Sequence, residues 1–170
     1  SISLSRVSVN LSRLDFARKD LFEQVCSVLD VYSVPHEAIN LEITESVMFE
    51  DTETFEKTFS RFRDAGFFVW LDDFGSGYSS LNVLQNYPFD VIKFDMLFLR
   101  KMSAKGKNML ASLISMAKTL GIHTLTEGVE TNEQREFLLD VGCEAQQGFY
   151  YARPLSKEAL IEQIDRKPGI

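Results

Sequence analysis

Apolar residues along the chain follow two alternating patterns. Helical spacing predicts amphipathic helices at 20–32, 52–65, 109–120 and 133–141. Between them, short apolar runs predict about six strands, near Val7, Leu41, Val69, Val91, Thr124 and Gln146. Three of the predicted helices are followed by a glycine, where a left-handed C-cap is expected, at Gly66, Gly121 and Gly142. Alternating helices and strands are typical of an α/β fold with a parallel sheet.

Individual side chains can be assigned to the expected core. Val28 should share the buried face of the first helix with Leu21, Val25 and Leu29. Phe55, Phe59 and Phe62 have the spacing of a buried stripe on the second helix. We interpret these phenylalanines as core residues and not as ligand contacts.

The strand count predicts an incomplete TIM-like (β/α) barrel. A closed barrel needs eight strands, and about six of the eight are present. No repeat or Pro/Ser-rich linker divides the chain, so we expect residues 1–170 to be a single domain that is truncated at its N-terminus. An open, doubly wound sheet is the alternative, but no GxGxxG turn follows the first strand.

Composition limits the possible environments and partners. At 170 residues and 45% hydrophobic, the chain can bury one core, and its net charge of −7 argues against DNA or RNA as partner. Cys26 and Cys143 lack metal-ligand spacing and are expected to be reduced. No spanning apolar run or signal peptide is visible, which predicts a cytoplasmic segment without membrane contact. A membrane-anchored parent protein is compatible with this expectation.

Polar residues collect where the predicted strands end, which is the edge where active sites form in parallel sheets. The most informative example is an apolar strand that ends in Asp72 and Asp73 and continues into a glycine-rich loop. Such paired carboxylates suit a hard divalent cation, although a solvated strand end has the same pattern. The other strand-end residues are Asn10, Glu42, Glu45, Lys93, Asp95 and Glu127.

Six motifs carry a resemblance to a known family. They are VNLS (9–12), LEITES (41–46), DDFGSGYSS (72–80), KFD (93–95), EGVET (127–131) and QGFYYARP (147–154). In this order and spacing they resemble the EAL phosphodiesterases of bacterial cyclic di-GMP signalling. The resemblance covers essentially the whole chain.

The resemblance implies a TIM-like barrel that hydrolyses cyclic di-GMP to linear pGpG with two Mg²⁺ or Mn²⁺ ions. By motif, Lys93 and Gln147 match catalytic positions that orient or activate the attacking water. Glu45 matches a glutamate that anchors the loop after the paired aspartates. That loop would link the metal site to a dimer interface, so a homodimer is an option, and fusion to sensory or GGDEF domains is expected in the parent protein. The metal-ligand positions of the family are matched by Asn10, Glu42, Asp72, Asp73 and Glu127.

Each assignment has a structural alternative. Asn10 could cap the turn after its strand, and the two glutamates of the second strand could be solvated. Lys93 could form an ion pair with Asp95, because a lysine among apolar residues is costly without a partner. His36 and His123 have no second histidine nearby and are not expected to bind metal.

The chain also departs from the family pattern. The Glu-Ala-Leu signature, which supplies one metal ligand, should precede Asn10, and nothing here occupies that place. The triplet at 158–160 lies in a predicted C-terminal helix and should be structural. Thr126 and Met96 replace the alanine and arginine that are usual beside two motifs. We therefore expect an active parent protein but weak or absent turnover by this segment alone.

Parts of the sequence suggest three other functions. A cyclic di-GMP receptor or interaction domain without catalysis is the main alternative, although the visible ligand positions are intact. An enolase-type enzyme would also place carboxylates and a lysine at barrel strand ends. The DFG triplet at 73–75 does not indicate a kinase, because the upstream glycine-rich loop and HRD element are missing.

Overall fold

The fold is an open, parallel α/β barrel. A computed structural model describes residues 6–49, 52–75, 81–100 and 103–166. The strands are β1 (Val7–Leu11), β2 (Ile39–Thr44), β3 (Phe68–Phe74), β4 (Val91–Phe94), β5 (His123–Thr126) and β6 (Ala145–Gln146). The helices are α1 (Arg13–Phe16), α2 (Leu21–Val31), α3 (Thr52–Asp64), α4 (Leu81–Asn86), α5 (Leu97–Arg100), α6 (Ala104–Thr119), α7 (Asn132–Asp140) and α8 (Lys157–Arg166). Two 3₁₀ helices span His36–Ala38 and Glu45–Phe49.

The six strands form one sheet in the order β1-β2-β3-β4-β5-β6, and every neighbouring pair is parallel. Sequential neighbours joined by helical crossovers are the arrangement of a TIM-like barrel, so the predicted fold class is confirmed. Within the described residues, β1 pairs only with β2 and β6 only with β5, and the sheet does not close.

The core lies between the sheet and the helices. Phe55, Phe59 and Phe62 of α3 are all buried, as their spacing predicts. Each such burial stabilises the fold by roughly 1.5–3 kcal/mol. The prediction for Val28 of α2 was wrong, because its side chain is 57% exposed. Leu21 on the same helix is buried, so the apolar face of α2 is narrower than its spacing indicates.

Helix ends follow local hydrogen-bonding rules. Helix α6 begins at Ala104, five residues before the predicted start, because the Ser103 side chain accepts a hydrogen bond from the Gly106 N–H and caps the helix. The three glycines expected to end helices all have positive φ, at Gly66, Gly121 and Gly142.

Both cysteines are free thiols, as predicted. None of the described helices combines the length and apolar character needed to cross a membrane.

Candidate active site

Strand geometry brings the predicted site residues to one face of the sheet. Glu42 lies between two core residues of β2, and Lys93 lies between two core residues of β4. Because side chains alternate between the two faces of a strand, both polar side chains point away from the helices, toward the barrel interior. The core residues that flank them are Leu41, Ile43, Ile92 and Phe94.

The ammonium group of Lys93 is the centre of a carboxylate cluster. Its Nζ lies 2.6 Å from Glu42 Oε2, 2.8 Å from Asp72 Oδ1 and 2.7 Å from Glu127 Oε1. The Lys93 side chain is only 5% exposed. Three charge-assisted contacts satisfy its three donors and hold together residues from four consecutive strand ends.

An irregularity in β3 presents two aspartates to the same place. The β3–β4 register shifts between Leu71 and Phe74, and Asp73 has a φ of 54° in the left-handed region. This local kink allows adjacent aspartates to approach one another, where a regular strand would turn them to opposite faces. As a result, carboxylate oxygens of Asp72, Asp73 and Glu127 lie within 4.8 Å of one another.

Contacts within the cluster shift the pKa values of Lys93 and Asp73. Burial alone would lower the pKa of Lys93, but hydrogen bonds to Asp72, Glu127 and Glu42 outweigh it and raise that pKa above its ordinary value. Partial loss of water raises the pKa of Asp73, and the charges of Asp72 and Asp95 add to the effect. The carboxylates thus favour the charged form of Lys93, whereas burial and the neighbouring charges favour the neutral form of Asp73.

The donor set fits divalent cations. Four carboxyl groups (Glu42, Asp72, Asp73 and Glu127) face one ammonium group, which leaves three negative charges uncompensated when all four are ionised. Hard oxygen donors with excess negative charge are what Mg²⁺ and Mn²⁺ prefer. The chemistry of these residues thus agrees with the metal dependence that the sequence resemblance implies.

Two other predicted site residues lie next to the cluster. Asn10 is exposed on β1 and stands in register beside Glu42 of β2. Gln147 is also exposed, and its backbone bonds bring it beside β5: its N–H donates to Thr126 O at 2.9 Å, and its carbonyl accepts from Val129 N–H at 3.0 Å.

The loop-anchoring role of Glu45 concerns residues 76–80. Glu45 directly follows β2 and begins a 3₁₀ helix. Residues 76–80 lie outside the described residues, so this expectation stays a prediction.

Asp95 has a different role from the one considered in the sequence. Its Oδ1 accepts a hydrogen bond of 2.6 Å from the Leu97 N–H, and its charge acts on Asp73. Lys93 instead pairs with the three carboxylates from other strands. Because β4 ends at Phe94, the alternation that would place Asp95 beside Lys93 no longer applies there. The acidic residue immediately after a strand is the sequence signal that points to Asp95.

The two histidines have other partners and lie away from this cluster. His36 Nδ1 is 2.9 Å from Ala65 O, and its ring stacks on Phe67. His123 pairs with Glu144 at the opposite end of β5. A cleft of about 600 Å³ also lies at that end, where its lining includes Arg6, Arg63, Phe68, Asp90 and His123. It contains none of the predicted site residues.

The chain is similar in sequence to known proteins over most of its length. Residues 2–154 match the family described as EAL domain. Cyclic di-GMP phosphodiesterase RocR of Pseudomonas aeruginosa is 32% identical over 158 residues, which are 92% of this chain and 40% of RocR. The chain spans 21% and 20% of the length of two other curated relatives, the signaling protein YkoW of Bacillus subtilis and an uncharacterised protein of Azorhizobium caulinodans.

Solved structures share the fold. A PaMucR phosphodiesterase in complex with c-di-GMP has a TM-score of 0.84 and 33% identity, over 91% of this chain and 70% of that chain. Klebsiella pneumoniae BlrP1 in a manganese and cyclic di-GMP complex has a TM-score of 0.82 and 30% identity, over 88% of this chain and 39% of that chain. The match over residues 2–154, which is most of the chain, shows that this protein belongs to the EAL domain family.

Proposed function

We propose that this chain carries most of the catalytic site of a cyclic di-GMP phosphodiesterase that releases linear pGpG. The observation that carries the proposal is the buried Lys93 ammonium within contact distance of Glu42, Asp72 and Glu127. Relatives named as cyclic di-GMP phosphodiesterases support the substrate. Residues 1–170 would form a single EAL-type domain.

Divalent cations are the proposed cofactors, and we propose Mg²⁺ or Mn²⁺ because both bind oxygen donors. Asp72, Asp73 and Glu127, whose carboxylate oxygens lie within 4.8 Å of one another, would hold one, and Glu42 with Asn10 would add donors from the neighbouring strands. When bound, such ions lower the pKa of water and stabilise negative charge on phosphate oxygens. The manganese complex of a relative with cyclic di-GMP supports this choice.

The residues of the chain would contribute mainly by positioning. Hydrolysis adds water to phosphorus, breaks one bond between phosphorus and a ribose oxygen, and transfers a proton to that oxygen. Lys93 would orient the attacking water or a phosphate oxygen as a hydrogen-bond donor, or take the proton of that water as the general base. Gln147, which is exposed and whose backbone is hydrogen-bonded to Thr126 and Val129, would position the same water through its side-chain amide.

The regulatory setting is part of the proposal. Relatives of this chain include the oxygen sensor protein DosP of Escherichia coli and the bifunctional diguanylate cyclase/cyclic di-GMP phosphodiesterase MucR of Pseudomonas aeruginosa. We infer that this domain is similarly joined to sensory or GGDEF domains in a cytoplasmic setting. A homodimer is the assembly that we propose for such a protein.

The test is product analysis with cyclic di-GMP and Mg²⁺ or Mn²⁺. The chain alone is compared with a version extended at its N-terminus by the first strands and the Glu-Ala-Leu segment of an EAL-domain relative. Conversion to pGpG by the extended version, and its loss in Asp72→Asn, would support the proposal. Nucleotide binding without turnover in both proteins would favour the receptor alternative. Absence of both binding and turnover would overturn the assigned substrate.

A further inference from the structure

The segment that joins β4 to α5 contacts the chain just after the clustered carboxylates of β3 and β5. It spans residues 95–98, which include the first two residues of α5, and is called the spacer turn below. Its backbone is tied to both neighbouring strands. The Asp95 N–H donates to Phe74 O at 3.3 Å, and Phe94 O, just before the turn, accepts from the Glu127 N–H at 3.0 Å. The spacer turn therefore lies between the end of β3 and the end of β5.

On the β5 side, the spacer turn contacts Gly128, the residue that follows Glu127. Gly128 has a φ of +71°, and a Cβ built on it would overlap Met96 Cβ and lie 3.3 Å from Met96 Cα. A Cβ atom is fixed by its backbone and cannot move aside by a rotamer change. The glycine thus allows the Glu127 backbone to approach the turn closely.

On the β3 side, the spacer turn contacts Gly75, two residues after Asp73. Gly75 has a φ of +94°, and a Cβ there would overlap the ring of Phe98. This ring packs edge-on against Phe94, with 6.1 Å between the ring centroids, and lies against the core. The Phe98 ring is therefore held by contacts with the sheet and the core.

The turn itself is internally braced. Asp95 Oδ1 accepts from the Leu97 N–H at 2.6 Å, and the Phe98 N–H donates to Asp95 O at 3.2 Å. The Leu99 N–H bonds to Met96 O at 2.9 Å. A rigid turn that packs between Gly75 and Gly128 can fix the distance between the aspartates of β3 and Glu127.

We propose that Met96 is a positioning residue, and that the spacer turn sets the separation between Glu127 and the aspartates of β3. The inference rests on the proposed cation site. Mg²⁺ and Mn²⁺ tolerate little error in oxygen positions, so a displacement of a few tenths of an ångström at Glu127 lowers affinity. The contact is steric and acts through the Met96 Cβ, so it does not require the rest of the methionine side chain.

The test uses steric complementation. Gly128→Ala adds the overlapping Cβ, and Met96→Gly in the same protein removes the atom it meets. Gly121→Ala is the matched control, because Gly121 has a φ of +72° but nothing within 4 Å of a Cβ there. Both alanine variants carry the strain of a positive φ, so a difference between them reports the contact with Met96. Mn²⁺ affinity is measured by the EPR signal of the free ion in a titration of the whole chain.

We expect Gly128→Ala to weaken Mn²⁺ binding by about tenfold or more, the size seen when supports of metal ligands are altered. Gly121→Ala should leave the Mn²⁺ affinity within about twofold of the native value, because it adds backbone strain only at a position far from the proposed ligands. Adding Met96→Gly to Gly128→Ala should recover most of the loss. Unchanged affinity in Gly128→Ala, or no recovery in the double variant, would overturn the spacer role.

A cation-free measurement separates the two proposals. The acetylation rate of Lys93 reports whether Glu127 still covers its ammonium group, from which it is 2.7 Å away. If the native chain binds no Mn²⁺, the proposal of a cation site is wrong, and the spacer role is then tested only by the acetylation rate of Lys93. If Lys93 is acetylated faster in Gly128→Ala than in the native chain, and adding Met96→Gly returns the rate to the native value, the spacer role is supported. Equal acetylation rates in the native chain and Gly128→Ala would overturn it.

If Gly128→Ala does not fold, Met96→Gly is compared with Met96→Ala, which keeps the Cβ. Only Met96→Gly should raise the labelling rate.

Discussion

Lys93 donates a hydrogen bond of 2.6 Å to Oε2 of Glu42, which lies 51 residues earlier in the chain. Both side chains are almost fully buried, at 5% and 8% exposed. Since β3 separates their two strands in the sheet, this ion pair reaches across the strand that carries Asp72. The stability of the fold and the geometry of the candidate site therefore depend on the same contact.

Replacing Lys93 should destabilise the cation-free protein strongly. Lys93→Met leaves Glu42, Asp72 and Glu127 without their shared partner, and losing one side of a buried ion pair costs about 3–5 kcal/mol in unfolding free energy. Urea denaturation in EDTA measures the change. Added Mn²⁺ should raise the melting temperature more in this variant than in the native chain, because more negative charge is uncompensated.

The matched control for this prediction is an exposed ion pair. Lys57 contacts Glu53 at 2.6 Å, with side chains that are 71% and 80% exposed. Lys57→Met should therefore cost less than about 0.5 kcal/mol. Equal effects of the two lysine substitutions would contradict the buried-cluster interpretation.

Cation binding should stabilise the native chain, and Asp72 should be required for it. At a cation concentration of 100 times Kd, stabilisation by mass action is about 2.7 kcal/mol. Asp72→Asn removes a carboxylate shared by the Lys93 contact and the aspartate cluster, so its melting temperature should not respond to Mn²⁺. Differential scanning fluorimetry with Mn²⁺ and then EDTA measures this response.

Asp140 provides the comparison for Asp72. It lies exposed at the end of α7, so Asp140→Asn should keep the full Mn²⁺ response. A native chain that gains no stability from Mn²⁺, or an Asp72→Asn variant that gains as much as the native chain, would argue against the assigned site.

The sequence predicted the sheet well, because strands and helices have different hydrophobic periods. All six strands form where the apolar runs predict them. The four-residue helices α1 and α5 were not predicted, because they are too short for a periodic pattern. The burial of Val28 was also mispredicted, since spacing shows which side chains share a face but not how much of that face a neighbour covers.

The candidate site was predictable in its residue types but not in its contacts. Carboxylates at strand ends were recognisable from the sequence, and the parallel sheet brings them together. The contact between Met96 and Gly128 joins residues from different strand ends and has no local signal. The kink at Asp73 is equally hidden, because aspartate does not by itself indicate a positive φ.

The aromatic stripe of α3 should dominate the stability of the helical layer. Phe62 is fully buried, and its ring lies 5.2 Å from those of Phe22 and Phe67. Phe62→Ala should lower the free energy of unfolding by about 3–5 kcal/mol, through lost burial and the cavity that remains. Leu14→Ala serves as control, since Leu14 is 75% exposed, and should change it by no more than about 0.5 kcal/mol. Chemical denaturation of the native chain and both variants measures these changes in the free energy of unfolding.

The exposed strand β1 should drive self-association of this chain. Val7 and Val9 are 46% and 43% exposed, and among the described strands β1 pairs only with β2. An apolar strand with an open edge is a template for pairing with another chain, and an inserted lysine opposes such pairing. Val9→Lys should therefore shift the sedimentation-velocity profile toward monomer at concentrations where the native chain associates.

Val31 distinguishes an edge effect from a general effect of charge. It is 74% exposed on α2, so Val31→Lys adds the same charge to a helix surface. If association depends on the open edge, this variant associates as the native chain does. Equal dispersal by both lysines would assign the association to nonspecific apolar contact, and a native chain that stays monomeric at all concentrations would show that β1 is not available for pairing.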